Sequence, residues 1–236
     1  MSQQPIIEVK DLSKIYNGLK VLDIPELTIR KGESFGLVGN NGAGKTTFFR
    51  LALDLIRADS GYVTSKGKRI DGADEWKPYT GSFLDYGFLI DFLTPEEYFN
   101  FLASVYGMTK TQKDEFLASF DDFFAGEVLG KSKFIRELSS GNQQKVGIVS
   151  SLFGSPEIVI LDEPFNSIDP STQIRLIRLL NKLSQEQGVT LMISSHDLNH
   201  ITEVCKRIVL LEDGKIIDDK ITSPNTLAEL MKYFEA

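Results

Sequence analysis

Apolar positions along the chain follow two rhythms. Short β-branched or aliphatic runs occur at Ile6 to Lys10, Ser34 to Val38, Tyr62 to Thr64, Ile158 to Leu161, Thr190 to Ser194 and Arg207 to Glu212, and these predict strands. Several are apolar on both faces, as covered strands should be. Longer stretches between them carry a helical spacing, so the alternation reads as α/β. Near the end, Glu212-Asp213-Gly214 separates Ile208-Val209-Leu210-Leu211 from Lys215-Ile216-Ile217, and its Asp-Gly pair suits a tight hairpin turn. From about Phe83 to Ser150 the strand signal fades. Thr94-Pro95-Glu96-Glu97 supplies a capping threonine, a first-turn proline and a reciprocal glutamate, the start of a helix in a helical insert. That insert is aromatic at its outset, with Phe83, Tyr86, Phe88, Phe92, Tyr98, Phe99, Phe101 and Tyr106. Such residues either fill the insert's own core or line a groove for a partner's helix.

Composition narrows the class. With 236 residues, 42% hydrophobic and 25% charged, the chain fits one large domain, or a domain with a sub-lobe, that buries a proper core. No run approaches the roughly 18 consecutive apolar residues of a membrane span, and Met1 to Lys10 is polar without a signal-peptide core. The expected location is therefore the cytoplasm. A net charge of -7 argues against a protein whose business is neutralising nucleic-acid phosphates. Cys205 is the single cysteine, which excludes an intramolecular disulfide or thiolate cluster and reads as a reduced core residue.

The strongest chemical signal is Gly39-Asn40-Asn41-Gly42-Ala43-Gly44-Lys45-Thr46, which follows the apolar run Phe35-Gly36-Leu37-Val38 and opens a helix through Thr47-Phe48-Phe49. A P-loop requires this strand-to-helix setting. Its glycines let backbone N–H groups curl toward phosphate oxygens at a helix N-terminus. Lys45 then reaches the terminal phosphates and the Thr46 hydroxyl ligates magnesium. A P-loop alone says only nucleoside triphosphate. The guanine-reading pattern Asn-Lys-x-Asp has one near match, Asn181-Lys182-Leu183-Ser184, in which serine replaces the carboxylate, so GTP loses ground. Upstream, Tyr16 is placed to stack on a base without reading it by hydrogen bonds.

Ile158-Val159-Ile160-Leu161 runs into Asp162-Glu163 and stops at Pro164. Carboxylates at a strand's C-terminal end sit where open α/β sheets bind ligands. Asp162 suits the magnesium shell, through water, and Glu163 suits activation of the attacking water. A second apolar strand, Val189 to Ser194, ends in Ser195-His196-Asp197, which puts His196 at the same edge of the sheet, where a neutral imidazole can donate to the terminal phosphate. His200 has no comparable case.

With these pieces in order, the chain resembles the ATP-binding cassette (ABC) ATPase family over essentially its whole length. Leu138-Ser139-Ser140-Gly141-Asn142 is similar to the family's signature loop, Ser167-Ile168-Asp169 to its D-loop, Tyr16 to its adenine-stacking aromatic and His196 to its switch histidine. The resemblance implies a P-loop NTPase core of mixed sheet flanked by helices, an antiparallel β lobe and an inserted helical subdomain. It divides the single domain into a core of residues 1–84 with 151–236 and an insert of residues 85–150. It also implies a head-to-tail dimer in which ATP lies between the P-loop of one subunit and Ser139 and Gly141 of the other. Three departures stand out. Ser140 replaces a glycine and Asn142 a glutamine. No glutamine occurs between Thr47 and Thr111, so Asp85 takes the position of the family's Q-loop glutamine and becomes a third magnesium candidate beside Thr46 and Asp162.

The resulting expectation, by analogy with the family, is an ATP-hydrolysing subunit of an ABC transporter of the exporter type, with ATP and Mg2+ as cofactors. Its partners would be a second ABC ATPase subunit, identical or not, and a separate integral membrane subunit holding it at the cytoplasmic face. The alternatives are a soluble ABC ATPase outside transport, or a module that dimerises on ATP and barely hydrolyses it. Glu163, Lys45 and His196 together weigh against the last.

Overall fold

A computed structural model describes residues 4–234; Met1 to Gln3, part of the polar start, lie outside them, as do Glu235 and Ala236. In chain order the elements are β1 (Pro5–Tyr16), β2 (Leu19–Arg30), β3 (Ser34–Val38), α1 (Lys45–Ala52), β4 (Ser60–Ser65), β5 (Lys68–Arg69) and β6 (Thr80–Phe83). Four helices follow: α2 (Pro95–Val105), α3 (Lys110–Ala118), α4 (Asp121–Phe124) and α5 (Ser140–Ser150). The chain then returns to β7 (Ile158–Leu161), α6 (Pro170–Gln185), β8 (Thr190–Ser195), α7 (Leu198–Val204), β9 (Arg207–Glu212), β10 (Lys215–Ile221) and α8 (Thr226–Phe234).

Two sheets form. One has four strands in the order β2-β1-β4-β5, and the other six in the order β10-β9-β3-β8-β7-β6. The first is antiparallel. In the second, β6, β7, β8, β3 and β9 run parallel and β10 joins β9 antiparallel. This is the α/β fold expected from the sequence, a mixed sheet flanked by helices with an antiparallel sheet and inserted helices.

The central strands explain their own hydrophobicity. Side chains alternate between faces along a strand, and in β7 Val159 and Leu161 enter one core while Ile158 and Ile160 enter the other. In β9 the split is Ile208 and Leu210 against Val209 and Leu211. One core lies between the six-stranded sheet and the insert with α6, α7 and α8; the other holds α1 and the antiparallel sheet. Phe99, Phe124 and Phe153 belong to the first core, so the insert is not packed on itself alone. Its aromatics divide: Phe83, Tyr98 and Phe99 are buried, whereas Phe88, Phe92, Phe101 and Tyr106 are exposed.

Several elements differ from the sequence reading. β1 extends from the predicted Ile6 to Lys10 out to Tyr16 and pairs with the unpredicted β2 through an Asn17-Gly18 turn, both residues at positive φ. That turn is the chemistry of a two-residue hairpin. β6 was also unpredicted, because Thr80-Gly81-Ser82 carries almost no apolar signal. A Cβ on Gly81 would stand 1.7 Å from the Ser151 carbonyl oxygen, so close helix packing selects glycine there. The Asp213-Gly214 hairpin and the Thr94 capping box form as expected. Cys205 is buried and free, and burial pushes its thiol well above the usual range. Among the described residues no helix is long and apolar enough to cross a membrane.

Candidate nucleotide site

The site is built where β3, β7 and β8 end. Fully buried β3 delivers the chain to Gly39, whose added Cβ would lie 2.3 Å from the Leu211 carbonyl oxygen of β9. Only glycine lets the loop start this close to the sheet. Gly42 and Gly44 take φ of 86° and 106°, conformations that other residues adopt at a cost. The loop then enters α1 at Lys45.

Lys45 is buried, and its ammonium donates to Gly39 O at 2.7 Å and Asn40 O at 3.3 Å. It also lies 3.4 Å from Glu163 Oε1. A cleft of about 280 Å³ is lined by Tyr16, Val21, Asn41, Gly42, Ala43, Gly44, Lys45, Thr46, Thr47 and Glu163. Tyr16 therefore reaches the P-loop from the far end of β1, half exposed, with Lys14 Nζ 5.2 Å from its ring centre.

Asp162 directly follows β7 and is buried. Thr46 Oγ1 donates to its Oδ2 at 2.5 Å and Ser194 Oγ donates to its Oδ1. Burial pushes this carboxyl up, the hydroxyl donors and Lys45 oppose the shift, and the charge of Glu163 adds to it. Ser194 also accepts from Glu163 N at 2.9 Å, so one hydroxyl fixes both acidic residues. Glu163 sits at φ 48°, an uncommon conformation for a side chain with a Cβ. Its Oε2 lies 2.8 Å from His196 Nδ1 and accepts from His196 N at 3.2 Å. The chain thus brings Lys45, Thr46, Asp162, Glu163 and His196 into one connected set.

Asp85 is not in that set. Its Oδ1 accepts from Gly87 N at 2.7 Å, capping the turn of Tyr86 to Phe88, and its Oδ2 is 3.6 Å from Arg50 Nη2 at the end of α1. It does not line the cleft. The physical reason is local: a carboxylate two residues before a free N–H satisfies itself within the turn. Ser139 and Gly141 also stand outside their own chain's cleft. Ser139 caps α5 by accepting from Asn142 N, and Gly141 packs so that a Cβ would meet Ser167 O at 2.7 Å. Asp169 caps α6, accepting from the backbone N–H and hydroxyl groups of Ser171 and Thr172, and these donors hold its carboxyl well below the usual range. His200 stacks on Phe165 at 4.7 Å, away from the set.

Two residues were missed. Ser194 is the last residue but one of β8, and the pairing of Leu161 with Ile193 sets it beside Asp162; only knowledge of that register could have singled it out. Gln144 is buried on α5 and donates to Glu163 O at 3.4 Å and Pro164 O at 3.1 Å. A buried glutamine in a helix carries no signal of its own in sequence.

Comparison with known proteins places these features among relatives. A family model described as "ABC transporter" matches residues 22–166, and one described as "AAA domain, putative AbiEii toxin, Type IV TA system" matches residues 134–201. An uncharacterized ABC transporter ATP-binding protein of Synechocystis is 34% identical over 91% of the chain and 62% of its own length. The chain thus spans less than two thirds of that relative. One from Methanocaldococcus jannaschii is 37% identical over 91% of the chain and 77% of its own length. The bacitracin transport ATP-binding protein of Bacillus licheniformis is 31% identical, over 91% and 69%. The solved dimeric structure of a bacterial ABC transporter cassette superposes with a TM-score of 0.83 at 25% identity, covering 92% of this chain and 99% of that one.

Proposed function

The chain belongs to the ABC transporter family as an ATP-binding subunit, and from that premise we propose that it hydrolyses ATP with Glu163 as the base that activates water. The observation carrying this reading is the position of Glu163, whose carboxylate lies between the Lys45 ammonium and the His196 ring, beside the Thr46–Asp162 pair. Lys45 would leave its loop carbonyls and Glu163 for the terminal phosphates. Glu163, released from that contact, would take a proton from the attacking water while His196 keeps its other oxygen in place. Tyr16 would cover the base.

Thr46 and Asp162 present hard oxygen donors side by side, which fits Mg2+. The bound ion would neutralise charge on the β- and γ-phosphates. Among the described residues no group of three or more His, Cys, Asp or Glu could hold a metal. Asp85 has no part in this proposal.

Ser139 and Gly141 lie outside their own cleft and would serve the facing nucleotide of a second subunit, where a hydroxyl and the start of α5 would meet the γ-phosphate. Residues 85–150 would be the subdomain that carries this loop. The membrane partner is a separate chain, and the narrower part of the proposal is that it exports its cargo, to be tested by the direction of transport in reconstituted vesicles.

Glu163→Gln tests the centre of this reading. Glutamine keeps the shape but not the basic oxygen, so turnover should fall at least about a hundredfold while ATP still binds. Size-exclusion chromatography with ATP and magnesium should then show a stable dimer. Turnover within a few-fold of the parent would remove Glu163 from the role.

A further inference from the structure

At the opposite end of the six-stranded sheet, where β7 and β8 begin, a cavity of about 570 Å³ opens between the insert and α6. Its size lies within the range of small-molecule sites, roughly 300–1,000 Å³. It is larger than the nucleotide cleft and shares no residue with it. The wall is apolar, supplied by Phe116, Phe120 and Phe123 from the insert and by Leu179 and Leu183 from α6.

The rim is charged, and its charges do not cancel. Lys31, Arg175, Arg178 and Lys182 line it against Asp122 and Glu157. Asp122 is 3.6 Å from Arg175, and Glu157 is held by Lys31 at 3.1 Å and Lys66 at 2.6 Å. Glu157 is accordingly held below the usual carboxylate range, by Lys66 first and Lys31 second. Both acids therefore already have a cationic partner. Arg178 and Lys182, exposed and one turn apart on α6, have no carboxylate within ion-pairing distance among the described residues. Residues four apart share a helix face, so both point to one rim. A local excess of positive charge on a chain of net charge -7 is a specific attractor for anions.

We propose that this cavity binds a small amphipathic organic anion, whose aromatic or alkyl body fills the apolar wall and whose acidic head meets Arg178 and Lys182. A ligand there touches both the insert and α6, joining the two at a place where the protein itself supplies the Asp122–Arg175 pair. It would not compete with ATP.

The test uses the full chain with saturating ADP, which fills the nucleotide site, and two fluorescent probes of similar shape. These are 8-anilinonaphthalene-1-sulfonate, which is anionic, and N-phenyl-1-naphthylamine, which is neutral. The sulfonate should bind at one saturable site at least about tenfold more tightly than the amine. Arg178→Glu with Lys182→Glu should weaken sulfonate binding at least about tenfold, and Ser119→Trp, which fills the apolar end from an exposed position, should weaken both probes. All variants should keep the parent's ATPase rate. Equal binding of the two probes to the parent overturns the anion assignment without requiring any variant to fold. Parent-like sulfonate binding in either variant, with its melting temperature retained, overturns the location.

Discussion

β6 and β7 lie side by side and in register, Phe83 opposite Leu161, yet the acidic residues that follow them have opposite fates. Asp162 is buried between the hydroxyls of Thr46 and Ser194. Asp85 is 47% exposed along its side chain and closes its own turn. The difference comes from the neighbours. β7 has a strand on each side, so the residue after it receives donors from β8 and α1, whereas β6 is the sheet's edge and the chain beyond it meets solvent on one flank. A carboxylate becomes part of a site when its surroundings deny it a local partner, and an edge strand does not do so.

The sharpest way to break this comparison is to neutralise the two carboxylates separately. Asp162→Asn should lower steady-state ATPase by on the order of a hundredfold at saturating ATP and magnesium. Asp85→Asn should leave the rate within about twofold and the magnesium requirement unchanged. An equal loss in both would return Asp85 to the site.

Next in size is Lys45→Ala. A cation that meets phosphate in the ground state contributes to binding itself, so calorimetry should find ATP affinity lower by about tenfold or more, the equivalent of about 1.5–3 kcal/mol for a charged hydrogen-bond partner. An unchanged affinity would count against the phosphate assignment.

The packing beneath β6 can be probed at Gly147, where a Cβ would fall 2.2 Å from the Phe83 ring. Overpacking of this kind costs about 1–3 kcal/mol. Scanning calorimetry of Gly147→Ala should show a melting temperature lower by roughly 2–12 °C, at about 2–4 °C per kcal/mol for a chain of this size.

The smallest effect sharpens the contrast from the other side. Burial raises the Asp162 carboxyl, so the folded state holds its proton more tightly than the unfolded one. The stability linked to that proton is complete below the unfolded carboxylate pKa of about 4 and is lost as pH rises through the folded value. Without nucleotide, Asp162→Asn should therefore melt slightly higher than the parent at pH 7. That advantage should vanish as the pH is lowered to about 4. A constant difference across this range would show that ionisation is not its source.

Much of this was legible in the sequence because the relevant signals are local. The P-loop is one unbroken segment with its strand and helix attached, and the acidic pair is announced by the apolar run before it. β6 was illegible because its glycine is selected by the close approach of Ser151, far away in sequence. β2 was obscured at Pro25-Glu26, where buried Ile24 and Leu27 fall three apart and break the alternation. Asp85 shows the converse: a position inferred by alignment to a family pattern carries no information about where a different side chain will turn.

α5 touches the molecule at three separated levels. Its first turn rests on Ser167 through Gly141, its second holds the backbone after β7 through Gln144, and Gly147 bears on the last residue of β6. In mechanical terms it is a rod seated on three supports, two of which lead from the ends of neighbouring strands. Such a rod has little freedom to tilt or roll independently of them. A shift of one strand end relative to the other would therefore be felt along α5 as far as Ser139, the residue that caps its start.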